Sequence, residues 1–459
     1  MHKFLINQNN SIEDAFLKFN KNKVNYLVVT NDSLKVLGVI TEGDIRRYFL
    51  EKKNTNAKIK DCMKTKYIYA KTNTLYEKCI KLLDDKIKFL PILDKKKRLV
   101  DIYTNENISY KLKTKNYNYH CRSPLRISFC GGGSDVTYFF KNYESVVLNA
   151  TINLYSNCIV TIRNDSKIII SSHNLSKKIQ FELSDGFHIV KKEYPNFEFV
   201  IELISIIKPQ MGFNMTLYSD VPIGSGLGGS SALASSILGS LSLAFNKDYS
   251  KRDLSELSYA AERYSLNIPG GWQDQYSTVM GGFNIMKFSK KYNSIIPLNI
   301  KKDILYQLED MIFLCFIDKK RNKINPHSDQ IKNFKENSVQ IKNYLRQNVR
   351  ISNMMIEDIV NDQINSFIEK INLLWSLKKK TSSTISNKYV DKMINFLLKS
   401  GAKSTKLLGA GVGGYIIAFV PYENQQDFKD KLNKRNFNFK KINFDLSGLV
   451  SWRTLIDFN

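Results

Sequence analysis

The chain has 459 residues and is 43% hydrophobic, enough apolar material for two or three folded domains. Its longest apolar run, MIFLCFI at 311–317, falls far short of the ~20 residues of a membrane span, and the opening MHKFLINQNNSIEDAF has no signal-peptide core, so a cytoplasmic protein with no membrane partner is expected. The net charge of +26 comes from Lys spread along the whole chain, which favours anionic small substrates and gives no localised footprint for nucleic acid, while six cysteines without a C-x-x-C pair fit reduced, buried thiols.

In chain order, the first hundred residues repeat with a period of 63. Ser11-Ile12 matches Thr74-Leu75, VNYLVV (24–29) matches IKFLPI (87–92), and LGVIT (37–41) matches VDIYT (100–104). Each unit reads as helix, strand, turn, strand and a helix started by Thr, and two such units are expected to pair face to face. The polar, basic stretch 105–120 has no apolar periodicity and holds the linker, placed at 113–120.

This front part resembles the CBS-domain pair, in which a strand runs into Gly-x-x-Thr-x-x-Asp. Gly38, Thr41 and Asp44 stand at those positions in the first repeat, and Asp101, Thr104 and Asn107 form a degraded copy in the second. The resemblance implies a tandem CBS α/β module over 1–112, with repeats of about 1–57 and 58–112. It further implies AMP, ADP or ATP as ligand, Thr41 on phosphate and Asp44 on ribose. A dimerising scaffold without ligand is the competing reading.

After the linker come three glycine-rich stretches. RSPLRISFCGGGSDVTYFF covers 122–140, SDVPIGSGLGGSSALASSILGSLSLAF covers 219–245, and KLLGAGVGGYIIAFV covers 406–420. In the middle one, MTLY (215–218) reads as a strand end and Ala232, Leu233, Ser236, Leu238 and Leu241 as a helix dense in small residues, giving strand, glycine loop, helix. The unpaired N–H groups and positive dipole end of such a helix can cradle an anion, although a tight turn before a closely packed helix would look the same. No Lys-Ser or Lys-Thr follows the glycines, so this is not a P-loop, and another group must neutralise a phosphate. Further on, Ser250 and Asp253 mark a helix start, and Leu254, Leu257, Ala261 and Tyr264 a helical stripe that leaves Glu262 one position off it near the helix end. Asp274 lies in GGWQDQ, between a Pro-Gly-Gly turn and MGGFN.

Three glycine motifs and two acidic positions in this order are similar to the GHMP kinases, named for galactokinase, homoserine kinase, mevalonate kinase and phosphomevalonate kinase. The resemblance covers about 120–459, and the first motif most resembles the D-glycero-D-manno-heptose 7-phosphate kinases. It implies a two-lobed α+β fold, with a ribosomal S5-like N-terminal lobe at 121–300 and a ferredoxin-like C-terminal lobe at 301–459. It implies ATP on Pro222, Gly224, Ser225, Gly226, Leu227, Gly228, Gly229, Ser230 and Ser231, Mg2+ on Glu262 with Ser230 or Ser231, and Asp274 as the catalytic base beside Arg126. The sugar phosphate is then expected on Gly131, Gly132, Gly133, Asp135, Gly411, Gly413 and Gly414, in a homodimer. Gly229 stands where a third serine is common, and Val412 interrupts the last glycine run, with a tighter sugar pocket as the expected effect.

Competing readings stay open for single residues. Glu262 also reads as an exposed helix acid, Asp274 as a surface-loop aspartate, Asp135 as a helix cap and each glycine of the last motif as structural, while Lys319, Lys320 and Arg321 read as a solvated charge run, with contact to a sugar phosphate as the alternative. For the whole chain the expected activity is ATP-dependent phosphorylation of an anomeric sugar hydroxyl, with adenine nucleotide acting at the front. The alternatives are a kinase of another small alcohol and a catalytically dead nucleotide sensor.

Overall fold

The computed structural model describes residues 4–22, 24–52, 54, 57–72, 74, 76–83, 87–104, 117–317, 326–336 and 338–456. The chain divides into two compact units, Met1–Lys115 and Asn116–Asn459.

In the front unit, β1 (Leu5–Asn7) runs parallel to β2 (Tyr26–Thr30), which is antiparallel to β3 (Val36–Thr41). The pattern recurs in β4 (Ala70–Lys71), β5 (Phe89–Leu93) and β6 (Leu99–Thr104). The period of 63 holds in the pairing itself, because Tyr26 faces Thr41 as Phe89 faces Thr104, and the irregularity at Val29/Thr30 returns at Ile92/Leu93. The repeats meet through Tyr26 and Phe89, stacked at 4.2 Å, above a cluster of Val28, Val36, Leu93 and Ile102. The strand that opens each repeat, three and two residues long, is too short to leave a period in the sequence. Asn107 and the helix expected after Thr104 lie outside the described residues.

In the second unit, β7 (Tyr117–Cys130) pairs with the long β8 (Ser145–Ile162), which belongs to a twisted sheet with β9 (Lys167–Ser172), β10 (Lys177–Glu182), β11 (Phe213–Ser219), β12 (Phe283–Phe288) and β13 (Asn293–Pro297), ordered β10-β9-β11-β8-β12-β13. A second, antiparallel sheet holds β14 (Ile312–Ile317), β15 (Ser404–Leu407), β16 (Gly414–Phe419) and β17 (Phe439–Lys441) in the order β15-β16-β14-β17, the arrangement of a ferredoxin-like sheet. The last strand, β18 (Val450–Leu455), returns to pair with β7.

Two expected boundaries differ from this. Residues 117–120, assigned to the linker, are strand, because the alternation that buries Tyr119 and Cys121 starts at Tyr117. Val450–Leu455, assigned with the C-terminal lobe, completes the first sheet.

One core spans both sheets of this unit. Leu125, Ile127 and Phe129 of β7 pack with Ile312 and Leu314 of β14 and with Phe367, Ile368 and Ile371 of the helix Ile364–Thr381. Alternation along β7 then turns Arg126 and Ser128 to the other face, into the cavity described next. Removing the Phe129 ring, fully buried and in edge contact with Phe367, would cost about 3–5 kcal/mol.

Candidate active site

The middle glycine stretch folds as strand β11, a loop and the helix Gly229–Ala244. Gly228 occupies the cap position at φ 73, a left-handed conformation that glycine adopts without strain, and its Cα faces the Arg126 side chain. Gly226 is pressed against the third motif, where a Cβ would stand 2.6 Å from the Leu408 carbonyl. The helix itself is buried almost all round, which its Ala, Ser and Gly residues allow; at Gly239 a Cβ would meet Cys121 Sγ at 2.6 Å.

This loop borders a cavity of about 500 Å3. One part of the wall is apolar, with Phe197, Phe199, Leu217 and Leu233, and another is polar, with Arg126, Asp135, Asp274, Lys378 and Lys406. Pro222, Gly224, Ser225, Gly226, Gly228, Gly229 and Ser230 line it between them. Leu227 turns into the core instead, and Ser231 is buried.

Asp274 sits in the first turn of the helix Gln273–Met280, where the dipole favours an ionised carboxylate. Arg126 holds it with two bonds, Nε to Oδ1 at 2.8 Å and Nη2 to Oδ2 at 2.7 Å, and gives its remaining Nη1 to the Gly226 carbonyl at 2.8 Å. One guanidinium thus ties the acid to the glycine loop, a task for which its planar fork suits Arg better than Lys. The surface-loop reading of Asp274 gives way to a helix start with a quarter of the side chain exposed.

Asp135 is buried at 2% exposure and accepts the backbone N–H groups of Gly133 at 3.0 Å and Gln273 at 3.2 Å. Burial, reinforced by the charge of Asp274, pushes its carboxyl above the usual range. It does not cap the turn that follows it, since Thr137–Phe140 begins at Val136 without a side-chain cap; the N–H it takes from Gln273 is the first of the helix Gln273–Met280. Beside it, Ser128 Oγ and Gln273 Oε1 are buried with no hydrogen-bond partner, and both residues line the cavity. Such groups are costly unless a ligand or water satisfies them.

Glu262 is not an exposed helix acid. The helix Lys251–Ala260, opened by the Ser250/Asp253 capping box, widens into a π-turn at Ala261–Ser265 that turns Glu262 inward to 1% exposure. Its Oε2 receives Ser231 Oγ at 3.3 Å, the Gln275 side-chain amide and Arg263 at 3.4 Å.

The remaining expected sugar contacts separate. Gly132 and Gly133 line the cavity, whereas Gly131 is packed against Val146. In the last motif Gly409 and Ala410 reach the cavity, Gly411 meets Ile385, and Gly414 lies against the Ser225 carbonyl. Gly411, Gly413, Gly414 and Val412 are not among the lining residues, so Val412 does not narrow the pocket; its N–H goes to Ile385 at 3.1 Å. Lys319, Lys320 and Arg321 lie outside the described residues.

Lys378, Lys406, Ser128 and Gln273 were not singled out in the sequence. Lys406 is 5% exposed and donates to the carbonyls of Ser128 and Phe129 at 2.9 and 3.0 Å, and burial lowers its pKa to about 8. Lys378 donates to the Gly409 carbonyl; burial, together with Lys406 and Arg126, lowers its pKa to about 7.

In the front unit, Thr41 and Asp44 bind each other: Asp44 Oδ2 accepts Thr41 N at 3.0 Å and Thr41 Oγ1 at 2.6 Å. Arg47 and Lys64 hold the other oxygen, at 2.5 and 3.0 Å. Gly38 packs against the backbone of Lys64, where a Cβ would come within 2.5 Å of the carbonyl oxygen. These three residues fasten β3 and its neighbours together.

Comparison with known proteins agrees with this architecture. The profile of the GHMP kinases N terminal domain matches residues 196–282, that of the GHMP kinases C terminal matches 355–438, and that of the CBS domain matches 2–51. The D-glycero-alpha-D-manno-heptose 7-phosphate kinase of Campylobacter jejuni is 31% identical over 341 residues, 72% of this chain and 98% of that protein. Among solved structures, a sugar kinase from Campylobacter jejuni superposes with a TM-score of 0.59 at 29% identity, covering 73% of this chain and 98% of that one. The galactokinase of Lactococcus lactis shares the fold, with a TM-score of 0.58 at 18% identity over 74% and 95% of the two chains. Among the described residues no helix is long and apolar enough to cross a membrane. With its glycine loop, its Arg126–Asp274 pair and this extent of likeness, the chain belongs to the GHMP kinases, ATP-dependent enzymes that phosphorylate alcohol groups, and carries a CBS domain in front of the kinase.

Proposed function

We propose that the chain phosphorylates the anomeric hydroxyl of a heptose 7-phosphate, or of a closely similar sugar phosphate, for nucleotide-sugar and surface-polysaccharide synthesis. The observation that carries this reading is the Asp274 carboxylate, held by Arg126 in the wall of a cavity where Asp135, Ser128 and Gln273 offer buried polar groups to sugar hydroxyls. The similar Campylobacter enzyme supports the choice of sugar.

ATP places its base at the apolar wall and its phosphates against the loop Pro222–Ser230. The acceptor hydroxyl sits at Asp274, which takes its proton as the new oxygen–phosphorus bond forms and the bond to the β-phosphate oxygen breaks, the electron pair leaving with ADP. Arg126 grips Asp274 with two bonds and anchors the loop with a third, so base and donor stay in register. Of the expected Mg2+ ligands Ser230 lines the cavity, while Glu262 and Ser231 are buried outside its lining and Glu262 is paired with Arg263; as carboxylate and hydroxyl oxygens the three are donor types that Mg2+ prefers together with phosphate. Bound there, the ion would supply charge neutralisation to the triphosphate.

The front unit is proposed to take an adenine nucleotide and thereby adjust the kinase. Asp44 reaches a ribose only by giving up Arg47 or Lys64, so Thr41 and Asp44 are weaker contacts than their spacing suggests. A homodimer is the proposed assembly.

The test is ADP release by the full chain with magnesium and a panel of heptose 7-phosphate, free heptose, galactose, fucose and mevalonate. Heptose 7-phosphate is expected to have the highest kcat/KM; a higher value for mevalonate or for an unphosphorylated sugar overturns the assignment. Calorimetry with AMP, ADP and ATP distinguishes one bound nucleotide from two.

A further inference from the structure

Among the described residues, four cations line the cavity: Arg126, Arg263, Lys378 and Lys406. Three are committed to other work. Arg126 serves Asp274 and the Gly226 carbonyl. Arg263 serves Glu262 and the carbonyls of Ile268 and Gly271, which leaves only its buried Nε without a partner, and Lys406 gives two of its three protons to the carbonyls of Ser128 and Phe129. Lys378, on the helix Ile364–Thr381, donates one proton to the carbonyl of Gly409, and an ammonium has three.

Its position singles it out further. Gly409 is pressed against the phosphate loop, where a Cβ on it would stand 2.5 Å from the Cα of Gly226, the residue whose carbonyl Arg126 holds. Lys378 and Arg126 are therefore joined through one backbone contact between the loop and the third glycine motif. The loop has no lysine of its own, so the charge of a transferring phosphate must be met from elsewhere.

We propose that Lys378 is a further catalytic residue, whose ammonium meets the charge on the phosphoryl group as it passes from ATP to the acceptor hydroxyl. This rests on the phosphotransfer chemistry of the family and not on the identity of the sugar. In the transfer, charge spreads over the three equatorial oxygens of the phosphoryl group between the entering and leaving oxygens. A nearby ammonium stabilises that state more than the ground state, and so acts on kcat.

The surroundings of Lys378 give the proposal a pH signature. Burial, Lys406 and Arg126 lower its pKa to about 7, and Asp135 and Asp274 oppose them. In the free enzyme its charge is therefore present below that pH and lost as pH rises through it. A bound phosphate restores the charge, so kcat holds to higher pH than kcat/KM.

The experiment compares the full-length parent with K378M and K378R. For K378M, kcat and kcat/KM are expected to fall together by ~10²-fold with the sugar KM unchanged. ADP is expected to bind as tightly as before, while the gain in affinity that aluminium fluoride adds to ADP in calorimetry is lost. K378R is expected to recover part of the rate and to lose the basic limb of the kcat/KM profile near pH 7, since a guanidinium stays charged. A raised sugar KM with intact kcat would overturn the proposal and assign Lys378 to the substrate's own phosphate. An unchanged response to aluminium fluoride would overturn it in favour of a structural tie to Gly409. Because ADP with aluminium fluoride contains no sugar, this arm decides even if heptose 7-phosphate proves to be the wrong acceptor.

Discussion

The two units each hold a carboxylate beside a guanidinium, and the pairs do different work. Asp44 receives Thr41, Arg47 and Lys64, all within 23 positions of one another along the chain, and both of its oxygens are occupied. Burial acts to raise its pKa, but the hydrogen bonds from Thr41, Lys64 and Arg47 outweigh it and hold the carboxyl below its ordinary value. Asp274 meets Arg126 across 148 residues of sequence, in the wall of a cavity and next to a second carboxylate, Asp135, whose pKa is raised. A charge pair closed on local donors is a fastening. The same pair facing a cavity, with a second acid whose pKa is raised, is the arrangement proposed above for proton transfer.

Substitutions can break this contrast at either end. The largest effect is expected from D274N, which retains the shape but cannot take the proton: turnover should fall by ~10²-fold or more with ATP affinity intact, measured by steady-state kinetics and calorimetry. Activity close to the parent's would reduce Asp274 to a fastening like Asp44. Next comes E262Q, for which the magnesium concentration at half-maximal rate should rise on the order of tenfold while the sugar KM stays put. An unchanged magnesium titration would remove Glu262 from the metal site.

D135N sharpens the contrast through pH. A raised carboxyl pKa means the ionised form costs folding energy, so this contribution to stability is present below the unfolded pKa near 4 and is lost as pH rises through the folded value. D135N should therefore gain in Tm relative to the parent as pH rises from 4 to 8, while its sugar KM increases by roughly a few-fold; a Tm that drops at neutral pH would mean the carboxylate is structural. The smallest effect on catalysis is expected from D44N. Its cost to the front unit, ~1–3 kcal/mol in denaturant unfolding, should be present above pH ~4 and vanish as pH falls through the lowered pKa of the parent, with kcat unchanged. A large loss of kcat would show that Asp44 does more than hold β3.

Residues that were legible beforehand carry their signal in a short window. The capping box of Ser250 and Asp253 needs four residues, the glycine loop needs positive φ at consecutive turns, and the 63-residue repeat preserves even its bulge. Lys378 is one of three consecutive lysines in SLKKKT, a stretch with no motif; only its place on a helix carrying Leu374, Trp375 and Leu377 inward brings it to the cavity. Glu262, expected on the metal by resemblance, reads as an exposed acid on a regular helix, and a π-turn rotates it inside. Gly411 and Gly414 looked like sugar contacts, yet their missing side chains make room for neighbouring backbone.

The sequence by itself determined the units whose physics is local: the repeated front, the strand, loop and helix of the middle glycine stretch, and the motif order that marks the family. The tertiary structure alone decided which side chains share the cavity. Arg126 and Asp274 are 148 residues apart, and Lys406 reaches Ser128 over 278. Backbone conformation and capping depend on neighbours along the chain, whereas desolvation and charge pairing depend on distance in space, which only the packing of β7, β14 and the helix Ile364–Thr381 around one core sets.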